Sequence, residues 1–232
     1  MYAGQQASYD GHQYCLFPMD YMRCTQTSGP DSLSHCCGHP CDWAGPDPEG
    51  QPQYPYYAPC DCTRIWEYAA YGETLYVSDA PVWTPKGLTY VSFMFTHDDA
   101  YPSQGHFNQG DLIGHTGTKG FALGPHLHLD QSLVKNDQLV KYSRICRGGN
   151  ECWALRNSTY AYDVFYLGGT EQIVNLQGMP FVTIPEPPGP EPEPGPQPPG
   201  PVTPTGSLTP AVLLLLCKYR RRSENGRKRI RV

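Results

Sequence analysis

Two histidines stand one residue apart in the segment GPHLHLD, which runs from Gly124 to Asp130. Side chains at positions i and i+2 of a β-strand share a face, so His126 and His128 are expected to lie about 5–7 Å apart. Two imidazoles on one face suit a metal site or an acid–base pair. The chain has only 8 histidines. Because a lone His-x-His also occurs on ordinary polar strand faces, further ligands are needed to support a metal site.

A second group of ligand-type side chains lies in SHCCGHPCDWAG, which contains His35, His39 and Asp42. A catalytic zinc takes three protein ligands and keeps one position open. Asp42 stands in the apolar, strand-like segment CDWAG, where an unpaired carboxylate is costly. Asp42 is therefore a candidate ligand, and spacing leaves either His35 or His39 open as its partner.

The elements that must position these residues are mostly strands. ETLYVSD and LTYVSFMFTH predict a hairpin that turns near Thr84–Gly87, and GPHLHLD predicts a further strand. The segment IWEYAA is the best candidate for a helix. CRGGNECWAL predicts a loop closed by Cys146 and Cys152. The body of the chain is therefore expected to be β-dominated, with long irregular loops.

The prolines divide the chain into unequal parts. Eleven of the 25 prolines lie between Pro185 and Pro204, a stretch that cannot build a core and predicts a disordered, extended spacer. We therefore expect one folded domain over residues 1–183, a linker over 184–206 and a short tail over 207–232. The apolar run Ala211 to Cys217 is far shorter than the roughly 20 residues of a membrane-spanning helix. A partner-docking tail is the expected alternative.

Charge and cysteines limit the function classes. The net charge is −5, but residues 218–232 carry about +7, which leaves an acidic body that is untypical of nucleic-acid binding. MYAGQQASYDGHQYC has no positively charged start and no apolar core, so no signal peptide is expected. Nine of the 10 cysteines precede the spacer. With an odd number, at least one thiol of the body is expected to stay outside intramolecular disulfides.

The cysteines offer a rival metal site. Cys36, Cys37, Cys41, Cys60 and Cys62 could form a structural zinc knot, although such sites usually use Cys-x2–4-Cys pairs. Cys37 and Cys41 fit that spacing loosely, whereas Cys60 and Cys62 do not. Disulfides that tie down the long loops of the body are the favoured alternative.

Three blocks of the sequence are SHCCGHPCDWAGP, FTHDD and GDLIGHTGTKGFALGPHLHLD, within roughly residues 15–135. Together they resemble the lysostaphin-type (LytM-like) zinc peptidases that cut peptidoglycan cross-links. The last block carries the family's Gly-rich loop and Gly-Pro-His-Leu-His sequence and is the most specific of the three. The first block departs from the usual His-x3-Asp spacing. Its longer gap of six residues is similar to that of phage tail-tip and endolysin variants.

The resemblance implies an antiparallel β-sheet groove and assigns roles to five residues. His35, Asp42 and His128 would bind zinc, and His97 and His126 would be the catalytic pair beside it. The implied activity is a zinc-dependent endopeptidase that hydrolyses cross-links or stem peptides of bacterial peptidoglycan. His115 is expected at the rim or in the substrate groove.

Two other functions remain open. A D-Ala-D-Ala carboxypeptidase can also carry Ser followed by His-x6-Asp, but NECWAL lacks the histidine that its last motif requires. A catalytically inactive LytM-like binding module would typically have lost metal ligands, and all five polar positions are present here.

The setting implied by these features is a phage lysin or a virion-associated protein acting at the bacterial cell wall, with a bacterial wall-remodelling enzyme as the alternative. The basic tail is expected to contact membrane, anionic wall polymer or a virion protein.

Overall fold

The computed structural model describes residues 1–46, 53–170, 172–174 and 178–186. The predicted linker beyond residue 186 and the predicted tail lie outside these residues. The strands are β1 Ser8–Tyr9, β2 His12–Gln13, β3 Tyr21–Gln26, β4 Cys41–Ala44, β5 Pro55–Tyr57, β6 Cys62–Tyr68, β7 Glu73–Ser78, β8 Val82–Thr84, β9 Gly87–Thr89, β10 Ser92–Thr96, β11 His106–Phe107, β12 Leu112–His115, β13 Leu127–Ser132, β14 Leu139–Ile145, β15 Glu151–Leu155 and β16 Gln172–Val174. A single helical turn, α1, spans Ala161–Val164.

The central element is an eight-stranded sheet with the order β11-β6-β7-β10-β13-β4-β3-β16. Neighbouring strands are antiparallel except β16, which pairs in parallel with β3 at the edge. Four further two-stranded sheets, among them β14–β15 and β5–β12, surround it. The predicted β-dominated fold with an antiparallel sheet is therefore confirmed.

One face of the sheet carries the main core. Alternate residues of β4, β10 and β13 point into this core, where Trp43, Phe93, Phe95, Leu127 and Leu129 are fully buried. Residues between them in sequence point to the opposite face, which is partly covered by the hairpin β14–β15. On that face Leu75, Met94 and Leu155 form a small second cluster with Leu139. The core thus covers the first face of the sheet, and the hairpin covers part of the second. The uncovered part of the second face is available for a functional site.

The predicted hairpin is confirmed in outline. β7 and β10 pair antiparallel, and a tight turn at Thr84–Gly87 joins the small strands β8 and β9 between them. The predicted strand GPHLHLD is β13, which begins at Leu127. No membrane-crossing helix is found among the described residues, since none is long and apolar enough.

Two local predictions are wrong. IWEYAA is not helical, because Ile65 to Tyr68 belong to β6 and pair with β7. Cys146 and Cys152 do not close their own loop. They form disulfides with Cys36 and Cys37 instead, across sequence separations of 110 and 115 residues. Since the antiparallel hairpin β14–β15 already pairs the chain around this loop, both cysteines are available to a neighbouring segment.

Candidate metal centre

The sheet register sets Asp42 and His128 side by side. In the β4–β13 ladder His128 is directly opposite Asp42, and in the β10–β13 ladder it is directly opposite Thr96. Because Trp43 and Leu127 point into the core, the alternation of the strands turns Asp42 and His128 to the other face. Asp42 is 6% exposed. Backbone hydrogen bonds of the sheet therefore fix these two side chains relative to each other.

His35 reaches the same point from the loop between β3 and β4. Its backbone N–H donates to Ser32 Oγ at 3.0 Å, and its carbonyl accepts the N–H of Gly29 at 3.0 Å. The disulfides of Cys36 and Cys37 tie the following residues to the hairpin β14–β15. The side chain is 3% exposed. A local turn and covalent cross-links thus hold this third group.

The three side chains present their donor atoms to one small volume. His35 Nε2 lies 3.0 Å from His128 Nδ1 and 3.3 Å from Asp42 Oδ1, and His128 Nδ1 lies 3.2 Å from the same Oδ1. A tetrahedral zinc with ligand bonds of 2.0–2.1 Å separates its ligand atoms by roughly 3.3–3.4 Å. The observed separations match the edges of such a tetrahedron within a few tenths of an ångström. The donor set and its geometry therefore fit a zinc ion.

The charge of Asp42 suits this role. Burial alone would raise the pKa of the carboxyl, but the neighbouring imidazoles of His35, His126 and His128 hold that pKa well below its usual range. Asp42 is consequently an anion at neutral pH, as a carboxylate ligand must be.

His126 adjoins the three donors from the residue before β13. Its Nε2 lies 3.4 Å from Asp42 Oδ1. Its Nδ1 lies 2.7 Å from the Gly124 carbonyl oxygen, which only accepts hydrogen bonds, so Nδ1 carries the proton. Burial opposes protonation of this ring, but Asp42 raises its pKa above the ordinary value. In the neutral ring, Nε2 is therefore an acceptor that faces the centre.

His97 lies beside His126, with ring centroids 4.5 Å apart. Its Nδ1 donates to the Lys119 carbonyl oxygen at 2.7 Å, so Nε2 of the neutral ring is again an acceptor. Burial, with His128 and His126 as further causes, lowers the pKa of His97 to about 3. The backbone of His97 has a positive φ of 79°, and a Cβ at Gly117 would lie 2.1 Å from its carbonyl oxygen. The strained conformation thus depends on a glycine in the adjacent loop.

An open groove runs over this centre, with a volume of about 1,080 Å³. The groove is lined by aromatic and polar side chains, which include Trp66, Tyr68, Tyr71, Phe121 and Trp153 as well as Glu73 and Thr96. A cavity of this size and composition can hold a peptide segment against the histidines.

The structure brings together His35, Asp42, His97, His126 and His128, and it separates the other histidines from them. The backbone N–H of His39 donates to Ser158, and its ring lies against Tyr160. The alternative ligand His39 is thus outside the donor cluster. His115 is not among the residues that line the groove. His12 and His106 bind Pro81 and Asp79.

The rival cysteine site does not assemble. Cys36 and Cys37 are in disulfides with the hairpin β14–β15, whereas Cys41, Cys60 and Cys62 are buried free thiols, as are Cys15 and Cys24. Five free thiols among the described residues agree with the expectation of at least one. The favoured alternative, disulfides that tie down loops at the groove, is confirmed for the loop of His35.

Asp98 is a supporting residue that the sequence reading left without a role. It is 1% exposed and accepts hydrogen bonds from Tyr56 Oη at 2.9 Å, from the backbone N–H of His115 at 2.9 Å and from that of Ala100 at 2.8 Å. This carboxylate fastens the segment after His97 to β5 and β12. The FTHDD motif contains Asp98, but sequence alone cannot distinguish it from the neighbouring Asp99, a more exposed group.

Comparison with curated proteins finds a phage relative. The chain is 33% identical over 179 residues to "Morphogenesis protein 1" of Bacillus phage B103, a match that covers 75% of this chain and 45% of that protein. The chain thus spans less than half the length of this curated relative. No protein-family model matches the chain.

Solved structures with a similar arrangement include several peptidases. Lysostaphin from Staphylococcus simulans matches with a TM-score of 0.36 and 18% identity over 49% of this chain and 43% of that chain. A zinc-containing peptidase from Vibrio cholerae matches with a TM-score of 0.35 and 18% identity over 53% and 41%. Helicobacter pylori Csd3 matches with a TM-score of 0.37 and 12% identity over 94% and 46%. At this level of similarity, the assignment of a function rests on the site itself.

Proposed function

We propose that this chain is a lysostaphin-type zinc endopeptidase that hydrolyses peptide bonds of bacterial peptidoglycan. The observation that carries the proposal is the convergence of His35 Nε2, Asp42 Oδ1 and His128 Nδ1 at 3.0–3.3 Å from one another. These atoms lie at an open groove and would hold a zinc ion, since three protein ligands are the number typical of catalytic zinc sites. When bound, the ion supplies Lewis-acid chemistry that polarises a peptide carbonyl and lowers the pKa of water.

His126 and His97 handle the proton of the reaction. His126 Nε2, an acceptor beside the donor cluster, takes the proton of the attacking water and passes it to the amine that leaves. His97 is held neutral by burial, and its Nε2 orients that water by accepting a hydrogen bond. The carbonyls of Gly124 and Lys119 set both tautomers, so the two rings present the same kind of atom to the substrate.

The phage relative supports a setting in virion assembly or entry. The relative's name refers to morphogenesis, and a wall-degrading activity carried by a virion would locally open the host wall. In this proposal residues 187–232, which lie outside the described residues, supply the contact with membrane, wall polymer or a virion protein. Deleting residues 187–232 is then expected to leave hydrolysis of purified walls unchanged and to remove association with its anchor. Loss of hydrolysis itself would refute this division.

The central test combines metal analysis with digestion of purified peptidoglycan. The wild-type protein is expected to retain about one zinc per chain and to release peptide fragments identified by mass spectrometry. His128→Ala is expected to lose the zinc and at least about 10³-fold in rate, since removing a ligand removes the electrostatic stabilisation of the developing charge. His106→Ala, a change at a partly exposed imidazole paired with Asp79, is the matched control. Hydrolysis that survives in His128→Ala would refute the proposed site.

The same measurements distinguish an inactive binding module. Such a module has no need of the ion, so its wild-type form would purify without stoichiometric zinc and release no fragments. The complete set of donors and the two neighbouring imidazoles favour the enzyme.

A further inference from the structure

A row of side chains crosses the sheet from the metal centre into the groove. His128 is directly opposite Asp42 on one side and Thr96 on the other. The β7–β10 register pairs Thr74 with Phe95 and, continued by one residue, sets Glu73 beside Thr96. Glu73 and Thr96 both line the groove. Since strands lie 4.7–4.9 Å apart, Glu73 is about 10 Å from His128 along this row.

Glu73 is a partly buried carboxylate to which the described residues supply no partner. No hydrogen bond or ion pair joins it to another described residue, unlike Asp42 with its imidazoles and Glu151 with Lys141. Burial raises the pKa of Glu73, with His128 opposing the shift. A desolvated anion of this kind is costly unless a cation or a donor pairs with it.

Thr96 gives a second, independent observation. Its side chain is 4% exposed, and its buried Oγ1 has no hydrogen-bond partner in the part of the chain that the structure describes. An unmade hydrogen bond in a buried hydroxyl costs free energy that a bound donor would recover. Thr96 thus lies between Glu73 and the candidate metal centre.

The wall next to Glu73 is aromatic. Tyr68, which pairs with Glu73 across the β6–β7 ladder, stacks with Trp66 at 6.3 Å and with Tyr71 at 5.5 Å between ring centroids. All three rings are exposed to the groove. Aromatic faces attract cations, and they strengthen the preference of a carboxylate for a positively charged ligand.

A carboxylate, a free hydroxyl and aromatic faces together select one chemical class. A primary ammonium group has three N–H donors and a positive charge, so it can bind the Glu73 carboxylate and Thr96 Oγ1 at once. We propose that Glu73 and Thr96 form a specificity subsite that binds a primary ammonium group of the substrate peptide. The inference rests on the proposed function for the identity of the peptide. It further specifies that this peptide carries a free amine close to the bond that is cleaved.

The distance between Glu73 and His128 limits which residue of the peptide can carry the ammonium group. An extended peptide advances about 3.3 Å per residue. The ammonium group is therefore within three residues of the bond that lies over His128, or it is at the end of a side chain that is closer still. Both a side-chain amine and an N-terminal amine satisfy this chemistry.

The test is a titration of the full-length, zinc-loaded protein by calorimetry. The probes are the stem tripeptide Ala-Glu-Lys, its Nε-acetylated form and its Nα-acetylated form, and the two acetylated forms separate the two amine sources. The wild type is expected to bind the free peptide at least about tenfold more tightly than one of the acetylated forms, because a charge-assisted hydrogen bond is lost. Glu73→Gln, which keeps shape and removes charge, is expected to abolish that preference, and Thr96→Val to reduce it several-fold.

Glu67→Gln is the matched control. Glu67 lies on the neighbouring strand β6, is paired with Arg64 at 3.1 Å and does not line the groove, so its replacement is expected to keep the full preference. Thermal unfolding of each variant confirms that it is folded.

Equal binding of all three peptides by the wild type, or absence of binding, overturns the subsite, as does a preference that persists in Glu73→Gln. Digestion of purified walls is measured in parallel. Hydrolysis without the amine preference would refute the subsite alone, and the preference without hydrolysis would refute the peptidase alone.

Discussion

Two regions of the molecule supply the three proposed zinc ligands, and they hold them by different forces. Asp42 and His128 lie on the adjacent strands β4 and β13, where the backbone ladder fixes their spacing. His35 lies in a loop that has one local turn and is tied down by the disulfides of Cys36 and Cys37. The sheet-borne pair needs only that the sheet forms. The loop-borne donor needs in addition that its cross-links form.

This difference separates the folding of the site from its completion. A reduced chain can pair β4 with β13, but it has lost the covalent connection that keeps His35 within 3.3 Å of Asp42. Loss of the disulfides is therefore expected to displace His35, whereas a change in the sheet is expected to displace Asp42 or His128.

The largest effect on zinc affinity is expected for a change at Asp42, which lies in the sheet. Asp42→Asn keeps the shape of the side chain and removes the anion that three imidazoles face, so zinc affinity is expected to fall more than about 100-fold. Zinc competition titration with a chelator measures it. Unchanged affinity would show that Asp42 is not a ligand.

A smaller effect on zinc affinity is expected for a change in the disulfides that hold the loop of His35. Replacing Cys36 and Cys146 together by serine removes one cross-link and leaves the Cys37–Cys152 bond. We expect a loss of about 2 kcal/mol in the free energy of unfolding, because the remaining Cys37–Cys152 bond already closes the long loop and the removed bond closes only a short one. Zinc affinity is expected to fall roughly tenfold. The reverse order, with a larger zinc effect here than in Asp42→Asn, would contradict the proposed division of labour.

Gly117→Ala tests a residue that carries no donor. The added Cβ would meet the His97 carbonyl oxygen at 2.1 Å, so His97 or the loop of Gly117 must shift. None of the three donor residues is among the atoms that this Cβ meets. Hydrolysis is expected to fall about tenfold at unchanged zinc content, because misplacing a catalytic group by a few tenths of an ångström weakens its hydrogen bond. Parallel loss of zinc and activity would instead show that the loop supports the donors.

The smallest effect on the candidate site is expected for a change at Ser158, which follows the hairpin β14–β15. Ser158 Oγ donates to Asp130 and accepts the backbone N–H of His39 at 2.8 Å. Ser158→Ala is expected to reduce the free energy of unfolding by about 1 kcal/mol, measured by urea denaturation, and to leave hydrolysis unchanged. A large loss of activity would mean that the loop after Cys37 transmits strain to His35.

The positions of the sheet-borne side chains are easier to predict from the sequence than the position of His35. Period-two alternation is a local property, so the faces of Asp42 and His128 could be predicted from CDWAG and GPHLHLD. The choice of His35 over His39 could not, because it depends on disulfides that join positions 110 and 115 residues apart. Spacing carries no information about such pairings.

The incorrect helix in IWEYAA and the missed row of Glu73 and Thr96 have related causes. At the end of β6, Ile65, Trp66, Glu67 and Tyr68 are all exposed, so the segment shows no period-two burial pattern. Alternation also tells which face Glu73 takes but not which residue of the next strand stands beside it. A short connecting turn would fix the register, but β8 and β9 lie between β7 and β10, so this pairing has no such local signal.

The left-handed backbone of His97 has a consequence for how this protein could be altered by selection. A histidine with φ near 79° is held in a conformation that glycine adopts without cost and asparagine at little cost. Either substitution would relieve the chain locally while deleting the imidazole. Because the ring is buried and its Nδ1 donates to the Lys119 carbonyl oxygen, the same substitution also removes packing and a hydrogen bond. The buried ring therefore protects this position against replacement by residues that suit its backbone better.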